Sequence, residues 1–192
     1  FNGLNVTIPY KKAVIPFLAG LSDNARRIGA VNTIVKRADD TLWGDNTDYD
    51  GFFYMVRRSA AEVRGKKAIV LGTGGASAPV AAVLSDLGAR EVIKISRSGE
   101  NNYENIARHY DADILVNTTP VGMYPNNGKA PLSLEGFRKL SCVLDIIYNP
   151  HKTALTLDAE RRGIPAFTGL SMLVAQAKRA AELFLQKALR SV

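Results

Sequence analysis

Cysteine is all but missing: the chain has one, Cys142, so an internal disulfide is excluded. It stands in the apolar run Cys142-Val143-Leu144-Asp145-Ile146-Ile147, where a small thiol suits a core. Histidine is almost as scarce. His109 and His151 each stand apart from Cys142 and from acidic clusters, so no metal site is expected. No run of about 18 uninterrupted apolar residues occurs, and no membrane-spanning helix or membrane partner is expected. The opening Phe1-Asn2-Gly3-Leu4-Asn5 reads neither as a basic leader nor as the apolar stretch of a signal peptide, which makes a cytoplasmic location the expectation. Internal repeats and low-complexity segments are lacking too.

What is present is enough for a core: 192 residues, 46% of them hydrophobic. The net charge of +7 suits a nucleic-acid binder and equally an enzyme that handles anionic substrates and a phosphate-bearing cofactor. The basic residues fall singly and in scattered pairs such as Lys11-Lys12, Arg57-Arg58 and Arg161-Arg162. There is no basic stripe interleaved with aromatics, so nucleic acid is not the expected partner.

The middle of the chain alternates short β-branched runs with helical patterns, the rhythm of a parallel sheet covered by helices. Strands are expected at Ala68 to Leu71, Val92 to Ile95, Ile114 to Val116 and Val143 to Ile147. A helix from about Ala76 to Leu87 is closed by Gly88, and another over Lys152 to Arg162 is stopped by Gly163. Ile164-Pro165-Ala166-Phe167 is expected as an edge strand, where proline is tolerated. The stretch from Pro120 to Pro131 reads as irregular. Residues 1 to 60 differ in texture, with a strand-like Leu4 to Ile8 and two strands around Asp39-Asp40. From Leu170 onward, Leu170, Leu173, Val174, Ala177, Ala181 and Phe184 recur with a period near 3.6, predicting a helix with that face buried on the smaller lobe.

Gly72-Thr73-Gly74-Gly75-Ala76-Ser77 lies after a strand and before a helix, where a dinucleotide pyrophosphate is bound. Gly72 permits the tight turn, and Gly74 and Gly75 let phosphates approach main-chain N–H groups at the positive end of the helix that Ala76 opens. About 20 residues further on, the second strand ends Ile95-Ser96-Arg97-Ser98. A basic residue there favours NADP over NAD: Arg97 can pair with the 2′-phosphate, helped by the hydroxyls of Ser96 and Ser98. Glu100, three residues on, would oppose that phosphate.

The segment Gly3-Leu4-Asn5-Val6-Thr7-Ile8-Pro9-Tyr10-Lys11 resembles a signature of the shikimate dehydrogenases. Ala30-Val31-Asn32-Thr33, Gly44-Asp45-Asn46-Thr47-Asp48, Asn117-Thr118-Thr119-Pro120-Val121-Gly122-Met123, Asp145-Ile146-Ile147-Tyr148-Asn149-Pro150 and Gly169-Leu170-Ser171-Met172-Leu173 with Gln176 follow in the family's order. The resemblance spans essentially the whole chain. It implies an α/β fold, with a doubly wound Rossmann-like NADP-binding domain over 61–168. A smaller α/β substrate lobe over 1–60 and 169–192 would be incomplete, because a family segment with a Ser-x-Ser pair usually precedes Phe1.

The activity implied is reversible reduction of the 3-dehydroshikimate ketone to shikimate with NADPH, in a monomer or homodimer. By the same resemblance Lys11 is the proton donor, and Asp48 orients its ammonium and holds a substrate hydroxyl. Thr7, Asn32, Tyr148 and Gln176 bind substrate, while Thr118, Gly169 and Met172 stand beside the cofactor. Ser171 replaces a glycine common in the family. A quinate/shikimate dehydrogenase that uses NAD, and a nucleotide-binding fragment without catalysis, are the alternative expectations.

Overall fold

The computed structural model describes residues 1–187 and 189; of the segment 169–192 assigned above to the smaller lobe, residues 188 and 190–192 lie outside the described residues. Two sheets carry the fold. The smaller is four-stranded, in the order β1-β3-β4-β2, from β1 (Gly3–Asn5), β2 (Gly20–Leu21), β3 (Thr33–Lys36) and β4 (Leu42–Asp45). β3 and β4 are the two strands expected around Asp39-Asp40, and they pair as an antiparallel hairpin. Its turn is built by two aspartates: Asp39 Oδ1 accepts from Thr41 N at 3.1 Å and Thr41 Oγ1 at 2.7 Å, and Asp40 takes a φ of 63°, which short polar side chains tolerate. The strand expected through Ile8 stops at Asn5. Pro9 has no N–H to extend a ladder, and the chain folds instead into a run of turns over 8–14.

The larger sheet has five parallel strands in the order β6-β5-β7-β8-β9: β5 (Lys67–Leu71), β6 (Glu91–Ile95), β7 (Ile114–Asn117), β8 (Cys142–Asp145) and β9 (Ala166–Thr168). β5, β7 and β8 are buried along their whole length, the reason they read as unbroken apolar runs. β9 is the edge strand, as expected from Pro165. The chain runs from β5 outward to β6 and then returns to place β7 on the other side of β5. That reversal opens a crevice at the carboxyl ends of β5 and β7, where open α/β sheets bind ligands.

Among the described residues five α-helices complete the layers: α1 (Asp23–Ile28), α2 (Thr47–Ser59), α3 (Ser77–Asp86), α4 (Ala154–Arg161) and α5 (Leu170–Leu185). On one face of the large sheet Phe52, Met55 and Val56 of α2, Val80, Val83 and Leu84 of α3, and Met172 of α5 pack on Val70, Val116 and Leu144. On the other, Leu155 and Ala159 of α4 join Leu134 and Phe137 over Ile69, Leu115 and Val143. Cys142 belongs to the first cluster, and burial pushes its thiol up to about 12, so it is an inert core residue. Thr153 starts α4 with a reciprocal capping box to Thr156.

α5 corrects one expectation. Leu170 and Val174 are about half exposed, and the covered positions are Met172 and Ala180. The buried stripe is rotated because Gly51 of α2 lets α5 come close: a methyl on Gly51 would sit 2.7 Å from Met172 O. Leu173 and Ala177, displaced from the core, line a cleft.

Candidate active site

The turn after β1 carries Thr7 and Lys11. It is pinned from below by Val31 N, which donates to Lys11 O at 2.8 Å, and from within by Tyr10 N donating to Thr7 O at 2.9 Å. So held, Lys11 Nζ donates to Asp48 Oδ2 at 2.6 Å. Asp48 stands in the first turn of α2, where a carboxylate also meets the positive end of the helix. The lysine side chain is 17% exposed and the aspartate 8%, so the pair is largely withdrawn from water and its hydrogen bond is charge-assisted.

Asn32 organises the floor. Its Oδ1 accepts from Thr47 N at 2.8 Å and Thr33 Oγ1 at 3.0 Å, which satisfies one of the free N–H groups at the head of α2. Its Nδ2 donates to Gln176 Oε1 of α5 at 3.4 Å. Lys11, Thr7, Asn32, Asp48, Leu173 and Gln176 are among the residues around a cavity of about 340 Å³. An ammonium, a hydroxyl and two amides around that volume suit a small polyhydroxylated acid. Two larger hollows, of about 900 and 800 Å³, contain none of the expected site residues, and their size is outweighed by the chemistry gathered in the small one.

The glycine turn follows β5. Gly72 has a φ of +99°, and a methyl on it would come within 3.0 Å of Thr119 Cγ2 and 3.1 Å of Thr118 Oγ1; only glycine fits. Gly74 faces open space. Ala76, at the N-cap of α3, gives it no side-chain cap, while Ser77 Oγ donates back to Gly74 O at 2.8 Å. An uncapped helix head behind a glycine that faces open space leaves main-chain N–H groups free to receive an anion. At the end of β6 Arg97 is exposed, and Ser96 Oγ donates to Ser98 O. The two halves meet at Lys11: a methyl on Gly75 would lie 3.9 Å from Lys11 Cδ.

Four expected residues sit differently from the rest. The Thr118 hydroxyl donates to Leu71 O at 2.6 Å, so its proton is committed to the backbone. Gly169 caps α5, donates to Ile147 O at 2.9 Å, and would collide with Ile146 O if it bore a side chain. Tyr148 is half exposed and is not among the residues lining the 340 Å³ cavity. Met172 is buried against Gly51.

Sequence reasoning gave no role to Asn117 and Asp145, which close the ends of the adjacent strands β7 and β8. Asp145 is fully buried. Its Oδ1 accepts from Asn117 Nδ2 and from Ile147 N, both at 3.1 Å, and its Oδ2 from Thr153 Oγ1 at 2.7 Å. Burial outweighs these bonds and pushes the carboxyl up to about 6.

A relative from Clostridium beijerinckii, named as an NADP(+)-dependent shikimate dehydrogenase, is 38% identical over 95% of this chain and 72% of its own length. The chain belongs to the shikimate dehydrogenase family. The family described as shikimate dehydrogenase substrate binding domain matches residues 1–34, the stretch that carries Thr7, Lys11 and Asn32. A solved shikimate dehydrogenase from Peptoclostridium difficile superposes with a TM-score of 0.91 at 36% identity, covering 100% of this chain and 74% of the other. The shikimate dehydrogenase of Thermus thermophilus, solved in complex with NADP(H) and shikimate, gives 0.87 at 32% identity over 99% and 75%. Among the described residues no helix is long and apolar enough to cross a membrane.

Proposed function

We propose that this shikimate dehydrogenase chain catalyses the reversible NADP-dependent interconversion of 3-dehydroshikimate and shikimate. The observation that carries the reading is the Lys11–Asp48 pair, 2.6 Å apart, at the edge of the 340 Å³ cavity, with Lys11 Cδ 3.9 Å from where a methyl on Gly75 would stand. When bound, the cofactor supplies a hydride to the carbonyl carbon. Lys11 gives its proton to the carbonyl oxygen as negative charge develops there, and takes it back in the reverse direction. Asp48 holds the ammonium in place through a charge-assisted hydrogen bond.

In this reading Thr7, Asn32 and Gln176 orient the hydroxyls and carboxylate of the ring, and Tyr148 closes the mouth of the cleft. Gly72, Gly74, Gly75 and Ala76 receive the pyrophosphate, Ser96 and Arg97 the 2′-phosphate, and Thr118, Gly169 and Met172 flank the nicotinamide. The substrate lobe comprises 1–60 with 169–192, and the NADP-binding domain 61–168. The protein works in the cytoplasm as a monomer or homodimer.

The test is shikimate oxidation followed by the absorbance of reduced nicotinamide. Lys11→Ala is expected to lower kcat by about 10²- to 10⁴-fold, the usual worth of a positioned acid, with the Kd for NADP+ changed little. Turnover equal to that of the unaltered protein would remove the assignment.

A further inference from the structure

We infer that Asp145 is a positioning residue for the nicotinamide nucleotide, holding the ends of β7 and β8 and the head of α4 as one rim of the crevice. The inference rests on the cofactor lying along the glycine turn, as proposed above. Register supplies the starting point. Leu71, Asn117, Asp145 and Thr168 are paired across β5, β7, β8 and β9, a single row at the carboxyl end of the parallel sheet. Within it Asn117 and Asp145 are direct neighbours and point to one face, so the side chains meet although 28 positions separate them.

From Asp145 the links run outward in two directions. Asn117, held by the carboxylate through Nδ2, uses its Oδ1 to accept from Thr119 N at 3.0 Å and Thr119 Oγ1 at 2.7 Å. Thr119 and Thr118 are the side chains on which Gly72 packs, so the turn that faces the cofactor is set from behind. In the other direction Asp145 accepts from Ile147 N, and Ile147 O accepts from Gly169 N at the head of α5. Gly72, Thr118 and Gly169 are thereby tied to a common anchor.

Capping α4 does not account for this carboxylate. Thr153 and Thr156 already cap that helix reciprocally, and a buried carboxylate is a costly way to accept one more hydroxyl. A charged acceptor with two oxygens is, however, suited to gathering an amide, a main-chain N–H and a hydroxyl from three segments at once.

The experiment compares KM for NADP+ with KM for shikimate, and measures the Kd for NADPH, at a temperature where circular dichroism shows each variant folded. Asp145→Ala is expected to raise KM and Kd for the nucleotide roughly ten-fold, about the worth of one lost hydrogen bond to a charged group, with KM for shikimate within about two-fold. Asp145→Asn keeps an acceptor for Asn117 and Ile147 and recovers most of the loss. Thr119→Val, which removes the hydroxyl bond to Asn117 Oδ1 and leaves the main-chain one, gives a smaller rise of the same kind.

Equal rises in both KM values, or unchanged nucleotide affinity, overturn the inference. If Asp145→Ala does not fold, the other two variants decide it by the same criterion. Arg97→Ala separates the two readings. A weakened nucleotide in Arg97→Ala beside an unchanged one in all Asp145 and Thr119 variants sinks this inference alone, whereas no change in Arg97→Ala as well removes the cofactor site on which it rests.

Discussion

In the five-stranded sheet the interior strands are wholly buried, apolar side chains fill both faces, and what reaches the crevice is mostly backbone: the glycine turn after β5 and the strand ends of β7 and β8. In the four-stranded sheet the buried apolar cluster is Ala25, Val31 and Ile34 with a partly covered fringe, and what reaches the cleft is side chains held by one another. Lys11 is fixed by Asp48, and Asn32 by Thr33, Thr47 and Gln176. The difference matches the ligands proposed for the two sides. A pyrophosphate is recognised by N–H groups that any close-packed turn supplies, whereas a small hydroxylated acid needs donors and acceptors at individual positions. Close packing therefore stabilises one side of the cleft and a polar network specifies the other.

The sharpest way to break that comparison is to hollow out the packed side. Leu144 is fully buried at the centre of β8, and Leu144→Ala is expected to cost about 2–5 kcal/mol in urea unfolding, transfer and cavity terms together. The molecules that remain folded should keep the KM for shikimate, because no part of the polar network touches Leu144. A shikimate KM that rises along with the loss of stability would show that the two sides are not separable.

The buried carboxyl of Asp145 on the packed side gives the next test. Burial holds the Asp145 carboxyl at about 6, above its ordinary value of 3.8. A group raised in the folded state binds its proton more tightly there, so its contribution is most favourable below about pH 4, declines as pH rises from about 4 to 6, and is a constant penalty above. The difference corresponds to about 3 kcal/mol. No charged group contributes to the shift; Thr153, Asn117 and the Ile147 N–H are what face the carboxylate. Unfolding followed across pH 3.5 to 7 should show this decline in the unaltered protein and its absence in Asp145→Asn. Parallel profiles for the two would mean that the carboxylate is not the source.

What could be read from the sequence divides along the same line. The packed side was legible: continuous apolar runs are what parallel strands buried on both faces must be, and the glycine turn is a local signal directly after such a strand. Helix α5 was legible as a helix but rotated, since the contact that chooses its buried stripe, Met172 on Gly51, joins residues far apart in the chain. The polar side was not legible from spacing. Lys11 and Asp48 are 37 positions apart, Asn32 and Gln176 are 144, and only the family resemblance joined them. Asn117 and Asp145 drew no role because their meaning depends on strand register, which places them side by side.

The smallest effect is expected where the two sides join away from the cleft. Arg27 of α1 meets Asp86 at the end of α3 through two parallel bonds of 2.7 and 2.6 Å, and Tyr49 of α2 donates to the same carboxylate at 2.7 Å. Arg27 holds the Asp86 carboxyl below its ordinary range, with Tyr49 adding to the effect. A lowered carboxyl contributes stability above about pH 4 and loses it as pH falls through its folded value. Both side chains are nonetheless open to water, at 48% and 34%, where screening leaves an ion pair worth at most about 1 kcal/mol. Arg27→Ala should thus shift urea unfolding by less than that at low salt and by nothing measurable near 1 M, where charges are screened within about 3 Å. A larger loss that persists in high salt would place the stability of the molecule in the junction between its halves, and the division between a packed side and a networked side would no longer describe it.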